Sequence, residues 1–192
     1  MKALINRRVP SEDGVELATD VYLPDEAGPF PTLVVRTPYN RIGHLETGSS
    51  WAGKGYAYVV QDCRGKFAST GTFRPIWQQA VDGAATLDWT ANQKWCNGRI
   101  GMIGRSYLGM VQIPAAASGH EALQCLVPGV TPNSFFTDWL RYDGCFALAN
   151  AVRWGMERAA TSVPPPTGHF TWEELWAKDS PEAVFERAGW ES

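Results

Sequence analysis

The feature that most constrains the fold of this chain is a short apolar segment that runs through a glycine into a serine. Residues 99–103 are followed by Gly104-Arg105-Ser106, and small and apolar residues then continue at helical spacing. This pattern predicts a buried strand that turns sharply into a helix, with the serine at the apex. The glycine two residues before the serine lets neighbouring chain pass where a β-carbon would collide. Ser106 is therefore a candidate nucleophile, although an ordinary strand-to-helix turn explains the same residues.

The second glycine of the pattern stands in an unusual place. The usual spacing is Gly-x-Ser-x-Gly, whereas here Gly109 comes three residues after Ser106. A serine hydroxyl is also a weak nucleophile unless a base removes its proton. The motif alone is thus not decisive, and its meaning depends on the rest of the chain.

Composition narrows the class of protein. The chain has 192 residues, 44% hydrophobic and 19% charged, which is typical of a globular domain. Its net charge of −3 gives no basic footprint for nucleic acid. The sequence has no apolar run long enough for a membrane span or a signal peptide, so we expect a cytoplasmic protein without a membrane partner.

The cysteines indicate neither metal nor disulfide chemistry. The four are widely spaced and form no C-x-x-C pair, so we expect buried free thiols and no metal or other cofactor. They are Cys63, Cys96, Cys125 and Cys145.

The chain begins with a predicted hairpin. Two extended stretches, Ala3 to Val9 and Val15 to Leu23, flank the tight-turn pair Asp13-Gly14. Apolar residues recur with period two in the second stretch, which predicts a strand with one covered face.

Strands and helices then alternate. Buried strands are predicted at residues 32–35, 56–62, 99–103 and 123–127, and helices at 45–54, at 78–92 and after Ser106. This alternation predicts a mostly parallel sheet, so the fold class is mixed α/β. On the helix at 78–92 we expect the core face to carry Val81, Ala84, Ala85 and Trp89. Pro114 should kink the helix after Ser106, and residues 134–160 are expected to be helical.

Several motifs in the first 110 residues carry a family resemblance. Asp13-Gly14-Val15-Glu16-Leu17, Arg36-Thr37-Pro38-Tyr39, Gln61-Asp62-Cys63-Arg64-Gly65 and Gly104-Arg105-Ser106-Tyr107-Leu108-Gly109 follow one another in this order. Together they resemble the cocaine esterase-like hydrolases, relatives of Xaa-Pro dipeptidyl-peptidases and α-amino-acid ester hydrolases. That family carries its second glycine one place late, as this chain does. The resemblance implies an incomplete α/β-hydrolase fold: residues 1–130 correspond to the N-terminal part of the hydrolase domain and residues 131–192 to the start of a helical cap.

The resemblance also implies roles for particular residues. Ser106 would be the nucleophile of an acyl-enzyme mechanism, with the Tyr39 hydroxyl and the Tyr107 backbone amide as the oxyanion hole. The substrate would be a small ester, amide or peptide. Asp62 and Arg64 are interpreted as residues that hold a loop. Candidates for lining the pocket, with core packing as the alternative, are Phe135, Trp139 and Trp154.

The acid and the histidine of a triad are harder to find. In this fold they follow the serine along the chain, and only His120 and His169 do so here. His120 is expected at the far end of the helix after Ser106, on the order of 15 Å away at 1.5 Å per residue. His169 falls in the cap, and His44 suits a surface position. The acids after the serine also lie in the cap: Asp138, Asp143 and Asp179.

These residues leave several interpretations open. A triad of Ser106, Asp143 and His169 is one. The one we favour is an N-terminal portion of a longer hydrolase, whose acid and histidine lie in a missing C-terminal segment and whose sheet ends in an unpaired edge. The alternatives are a catalytically inactive α/β binding module and an acyltransferase on the same scaffold. Partners other than the substrate would be that missing segment or a second copy in a homo-oligomer.

Overall fold

A computed structural model describes residues 1–159 and 161–162 of the chain. Contacts divide the molecule into two compact units, Met1–Pro132 and Asn133–Ser192. The strands of the first unit are β1 (Lys2–Pro10), β2 (Glu16–Leu23), β3 (Phe30–Thr37), β4 (Ala57–Asp62), β5 (Cys96–Arg105) and β6 (Leu123–Gly129). Its helices are a 3-10 helix (Arg41–His44), α1 (Leu45–Ala52), α2 (Gln79–Ala91), α3 (Tyr107–Met110) and α4 (Gln112–Ala116).

The first unit is built on one six-stranded sheet in the order β1-β2-β4-β3-β5-β6. The β1–β2 hairpin is antiparallel and joins β4 through a second antiparallel pairing. β3 pairs in parallel with both β4 and β5, and β5 pairs in parallel with β6. The predicted α/β architecture, a hairpin leading into a mostly parallel sheet with flanking helices, is confirmed.

Helices cover both faces of this sheet, and successive residues of a central strand therefore enter different cores. In β3, Val34 packs in the cluster that contains Leu87 of α2 and Ala115 of α4. Its neighbours Leu33 and Val35 pack in the second cluster, against Trp51 of α1. The continuous apolar run in β3 follows from this two-sided burial.

One expectation about buried faces is wrong, and a second is correct only in part, since Trp89 of α2 does pack against the core. β2 is buried on both faces from Leu17 to Leu23, because it lies inside the sheet with α1 above it. On α2, Val81 is exposed, and the buried face is largely polar. The fully buried residues of that face are Gln79, Asp82, Gly83, Thr86, Leu87 and Thr90. This face meets buried arginines and the α4 backbone, where a β-carbon on Gly83 would lie 2.5 Å from the Ala115 β-carbon.

The helix after Ser106 is broken, as Pro114 predicts. It forms two short pieces, α3 and α4, separated at Val111. A proline at position 114 cannot donate to the carbonyl of residue 110, and α3 ends at Met110.

The second unit is less helical than expected. Its described part contains α5 (Phe135–Asp138), a small antiparallel hairpin of β7 (Arg141–Tyr142) and β8 (Cys145–Phe146), and α6 (Leu148–Ala159). The prediction that residues 134–160 are helical is therefore correct for α5 and α6 and wrong for the hairpin between them. The chain turns at Asp143 and Gly144, both of which have a positive φ.

The cysteine prediction is correct in part. All four thiols are free, but only Cys63 and Cys96 are buried, whereas Cys125 and Cys145 are exposed. Cys125 is exposed because β6 pairs with β5 alone among the described strands and forms an edge of the sheet, as expected. No helix among the described residues is long and apolar enough to cross a membrane.

Candidate active site

Ser106 stands at the turn between β5 and α3. Its φ of 56° and ψ of −129° place a non-glycine residue in a left-handed conformation, and its side chain is exposed. The Ser106 N–H donates to the Gly129 carbonyl at the end of β6, at 2.9 Å. Such a conformation persists only where the surroundings hold it, and it is characteristic of functional sites.

The two glycines of the motif are required by close packing around this turn. A β-carbon on Gly104 would lie 2.4 Å from that of Leu108, and its φ is +151°. A β-carbon on Gly109 would lie 3.1 Å from that of Thr131 and 3.2 Å from the carbonyl oxygens of Gly104 and Gly129. Position 109 thus faces the ends of β5 and β6 together. This contact accounts for the second glycine standing three residues after the serine.

The sheet brings the Tyr39 loop to the same end of the strands as Ser106, the carboxyl end. β3 and β5 are parallel neighbours with Val34 opposite Met102, and Tyr39 and Ser106 follow the carboxyl ends of these two strands. Adjacent strands are about 4.8 Å apart. The Tyr39 N–H donates to the Thr37 hydroxyl at 3.0 Å, and its side chain is 38% exposed. The hydroxyl of Tyr39 and the hydroxyl of Ser106 thus belong to adjoining turns.

Tyr107 contributes its backbone to this end of the strands and its ring to the interior. It is the first residue of α3, where backbone N–H groups precede the helical hydrogen-bond ladder. Its ring is fully buried, and its phenol oxygen accepts from the Ile76 N–H at 3.2 Å and from Gln79 Nε2 at 3.1 Å. Burial raises the pKa of the Tyr107 phenol. The phenol is therefore a neutral anchor that holds the start of α3.

A second anchor, Gln112, was missed by the sequence analysis. Its Nε2 donates to the Leu108 carbonyl at 2.9 Å, and its Oε1 accepts from the Val127 N–H at 3.0 Å. This fully buried amide therefore ties the turn after Ser106 to β6. A lone glutamine in an apolar helix was the available signal.

Asp62 and Arg64 hold loops, as expected. Asp62 accepts from the Arg41 backbone N–H at 2.8 Å and from the Arg41 guanidinium. Arg64 donates to Asp82 of α2 at 2.6 Å and to the Ser11 hydroxyl at 3.1 Å, and it also pairs with Asp13. Neither side chain belongs to the exposed end of the strands around Ser106.

The two histidines in the described part are both engaged elsewhere. His120 precedes β6 at the amino end of the parallel strands, and its Nε2 lies 3.0 Å from Asp88 Oδ1. His120 lies at the level of Ile100 in the sheet, and Ser106 is six residues further along the strand direction. The two residues are therefore roughly 20 Å apart. The imidazole of His44 contacts the Tyr58 hydroxyl at 2.8 Å and is partly exposed, so the surface position expected for it is correct in part. Burial lowers the His44 pKa.

In the second unit, the acids and tryptophans serve local contacts. Asp138 accepts from the Ser134 N–H at 2.9 Å, and the Thr137 hydroxyl beside it lowers the pKa of its carboxyl. Asp143 occupies the β7–β8 turn. The rings of Trp139 and Trp154 meet edge-on with centroids 5.1 Å apart. This contact agrees with packing, the alternative to lining a pocket. Outside the described part lie His169, Asp179 and the Phe135 side chain.

A groove of about 520 Å³ lies at the opposite end of the strands, the amino end. Its lining includes Phe30 at the start of β3 and Trp95 just before β5, which mark the amino ends of these strands. It is therefore remote from Ser106. The carboxyl end of the strands instead combines the exposed Ser106 hydroxyl, the Tyr107 backbone amide at the start of α3 and the phenol of Tyr39 in the neighbouring loop. This arrangement is suited to acyl transfer.

Comparison with known proteins identifies the family of the chain. Residues 13–190 match the family of X-Pro dipeptidyl-peptidases (S15 family). A cocaine esterase from Rhodococcus sp. (strain MB1 Bresler) is 38% identical over 156 residues, which are 78% of this chain and 27% of that protein. A putative serine esterase from Mycobacterium bovis is 28% identical over 200 residues, covering 82% of this chain and 32% of that protein.

Solved structures bear out the fold. The structure of a CocE/NonD family hydrolase from Staphylococcus aureus superposes with a TM-score of 0.76 at 22% identity, covering 91% of this chain and 35% of that one. At this identity the likeness speaks to the fold alone, and it is that of the α/β hydrolases. The chain spans only 27% and 32% of the two curated relatives named above.

Proposed function

We propose that this chain, which belongs to the X-Pro dipeptidyl-peptidase (S15) family, carries the nucleophile and the oxyanion hole of a serine hydrolase. The observation that carries the proposal is the left-handed turn that exposes Ser106 between β5 and α3, beside the Tyr39 loop. Strain of this kind at an exposed serine has no evident packing benefit, whereas it presents a hydroxyl to substrate.

The proposed chemistry is acyl transfer through the serine. Ser106 Oγ attacks the carbonyl carbon of an ester or amide and loses its proton to a base, and the carbonyl oxygen becomes an oxyanion. The Tyr107 N–H and the Tyr39 hydroxyl donate to that oxygen. Collapse of the intermediate expels the alcohol or amine with a proton from the base, and water then releases the acid. Each oxyanion donor contributes a factor of about 10²–10³ in rate.

The base is proposed to come from outside the described residues. His120 and His44 contact Asp88 and Tyr58, and neither adjoins the Ser106 turn. The Rhodococcus cocaine esterase is much longer than its aligned part, which is 27% of that protein. We therefore propose that a later segment supplies the histidine and its acid, with residues 1–130 as the N-terminal part of a hydrolase domain and residues 131–192 as the start of its cap.

Esters are the proposed substrate class, with peptide or amide bonds second. The relative with 38% identity is named as a cocaine esterase, and the Mycobacterium relative is named as an esterase too. Peptide bonds remain the second candidate because the matched family is described by X-Pro dipeptidyl-peptidases.

An activated ester tests the proposal. Mixed with p-nitrophenyl acetate, the protein that includes the proposed base-bearing segment should release p-nitrophenol and gain an acetyl group, whereas its Ser106→Ala variant should do neither. Ser50→Ala, which removes an exposed hydroxyl on α1, is the matched control and should behave as wild type. Adding a primary alcohol distinguishes the acyltransferase alternative, because that enzyme would pass the acetyl group to the alcohol rather than to water. Equal acetylation of wild type and Ser106→Ala would contradict the proposal and favour the inactive binding module.

A further inference from the structure

A buried arginine connects the two turns that hold the proposed oxyanion donors. Arg36 lies in β3, three residues before Tyr39, and its side chain is fully buried. Its Nε donates to Gln61 Oε1 at 2.9 Å, and its Nη1 donates to the Gln79 carbonyl at 3.1 Å. Its Nη2 lies 3.5 Å from Asp82 Oδ2. The guanidinium thus fixes the first turn of α2 to the strand that leads into the Tyr39 loop.

Gln79 continues this connection to the other donor. The residue is 2% exposed, and its Nε2 donates to the Tyr107 phenol at 3.1 Å. One residue therefore joins Arg36 through its backbone carbonyl and Tyr107 through its side chain. Tyr107 in turn carries the proposed oxyanion amide at the start of α3.

Ile76, close to this contact, has a strained backbone. Its φ is 78°, which is a rare conformation for a β-branched residue. The Ile76 N–H donates to the same phenol oxygen at 3.2 Å, and the Ile76 carbonyl accepts from the Gln79 N–H at 3.3 Å. Backbone strain and two donors thus converge on the Tyr107 phenol.

We propose that Arg36 and Gln79 form a brace that sets the position of the Tyr107 amide relative to the Tyr39 loop. The two are positioning residues, since neither touches the reacting atoms, and the inference rests on the proposed function of Ser106. Oxyanion donors act only when they lie about 2.7–3.1 Å from the developing charge. Gln79 is held by Arg36 through its carbonyl and holds Tyr107 through its side chain, so the brace keeps the two donors at a constant separation.

The brace predicts a specific loss of reaction rate. Gln79→Met keeps the volume but removes the bond to the phenol, so the Tyr107 amide loses its side-chain anchor. In the protein that includes the proposed base-bearing segment, we expect the maximal rate of Ser106 phosphonylation by a fluorophosphonate to fall about tenfold, less than the loss of a whole oxyanion donor would cause. The reagent concentration that gives the half-maximal rate should not change. Tyr107→Phe also removes the acceptor of the Ile76 N–H and should give at least as large a loss. The double variant should be no slower than Tyr107→Phe alone, because both substitutions remove the bond between Gln79 and the phenol.

The test needs a control and a readout that does not depend on reactivity. Gln78→Met makes the same change one residue earlier and removes no bond to Tyr107, so its rate should equal that of wild type. The ¹⁵N–¹H resonance of the Tyr107 amide should shift in Gln79→Met and Tyr107→Phe but not in Gln78→Met. Thermal unfolding shows that each variant is folded.

The possible outcomes separate the two claims. If wild-type Ser106 is phosphonylated and Gln79→Met reacts at the wild-type rate with an unshifted Tyr107 resonance, the brace is overturned and the proposed function stands. If wild-type Ser106 is not phosphonylated, the proposed function fails, and the catalytic role of the brace fails with it. A slower Gln79→Met with additive loss in the double variant would also overturn the brace, because the two residues would then act independently.

Discussion

Ser106 and the glycines around it show how single residues determine the shape of the site. The serine has a φ of 56°, while Gly104 and Gly109 leave room for Leu108 and for the ends of β5 and β6. The serine turn is thus formed by close backbone packing, and the side chain at position 104 must be a hydrogen atom. The sequence motif predicts these roles correctly for Gly104. The reason for Gly109 emerges only when β6 is in place.

Gly104→Ala tests this packing. The new β-carbon would lie 2.4 Å from that of Leu108, so the start of α3 must shift. We expect a loss of about 1–3 kcal/mol in the free energy of unfolding, measured by urea denaturation. Gly43→Ala is the matched control, since no atom lies within 4 Å of its β-carbon, and it should change stability by less than about 0.5 kcal/mol. Equal midpoints for both variants would contradict the packing argument.

His44 gives a prediction for pH. Burial lowers its pKa from the ordinary value of 6.5, so the unfolded chain binds this proton more readily than the folded chain. The stability contributed by neutral His44 is therefore complete above pH 6.5 and is lost as the pH falls toward the folded pKa. An NMR titration of the imidazole should give a midpoint below 6.5, and the acid loss of stability should shrink in His44→Gln. A midpoint at or above 6.5 would refute the assignment.

At the scale of elements, α2 is the clearest case of a structure that polar contacts determine. Its buried face carries Asp82, Thr86 and Thr90 at a spacing of four residues. Asp82 accepts from Arg64 at 2.6 Å and from Ser11 at 3.0 Å, and Thr86 donates to Gln61 at 2.8 Å. The helix is therefore fixed by bonds to residues that are distant in the sequence.

Asp82→Asn tests the importance of this polar face. The substitution leaves the buried guanidinium of Arg36 without a carboxylate and leaves Arg64 with the exposed Asp13 alone. We expect a loss of about 3–5 kcal/mol in the free energy of unfolding. Asp88→Asn on the same helix removes only an exposed carboxylate beside His120 and should cost less than about 1 kcal/mol. Urea denaturation measures both, and a similar small loss in the two variants would show that the cluster does not stabilise the fold.

The sequence predicts the strands well and the burial of α2 poorly, for a physical reason. Apolar runs in β3 and β4 and the tight turn at Asp13-Gly14 are local signals, and the structure confirms each. The buried face of α2 depends on Arg36 and Arg64, which belong to other parts of the chain. Two sequence features could have predicted this polar face. They are the polar residues near the ends of the buried strands, Arg36 and Gln61, and the four-residue spacing of polar residues on α2. The helix–hairpin–helix order of the second unit gave no comparable signal.

At the scale of the whole molecule, the described sheet has an open edge. β6 pairs only with β5 in this part of the chain, and Val127 on it is 58% exposed. Unpaired strand edges bind other strands and promote association. The open edge is consistent with the proposal that a later segment completes the domain. A cytoplasmic location stays a prediction.

Val127→Lys tests whether the chain associates through the β6 edge. A lysine on an edge strand opposes pairing with another chain, so the variant should stay monomeric at concentrations where the wild-type chain associates. Ile42→Lys, at an exposed apolar residue outside the sheet, should associate as wild type does. Sedimentation over a concentration series measures this. Equal association of all three proteins would show that the β6 edge is not responsible.

The most direct test of the central claim is to find which atom a fluorophosphonate modifies. We expect one phosphonyl adduct on the protein that includes the proposed base-bearing segment, located by mass spectrometry to the peptide that contains Ser106, and none on its Ser106→Ala variant. The Ser50→Ala control should be modified as wild type is. If that longer protein stays unmodified, or if an adduct survives in Ser106→Ala, the assignment of Ser106 as the nucleophile is contradicted.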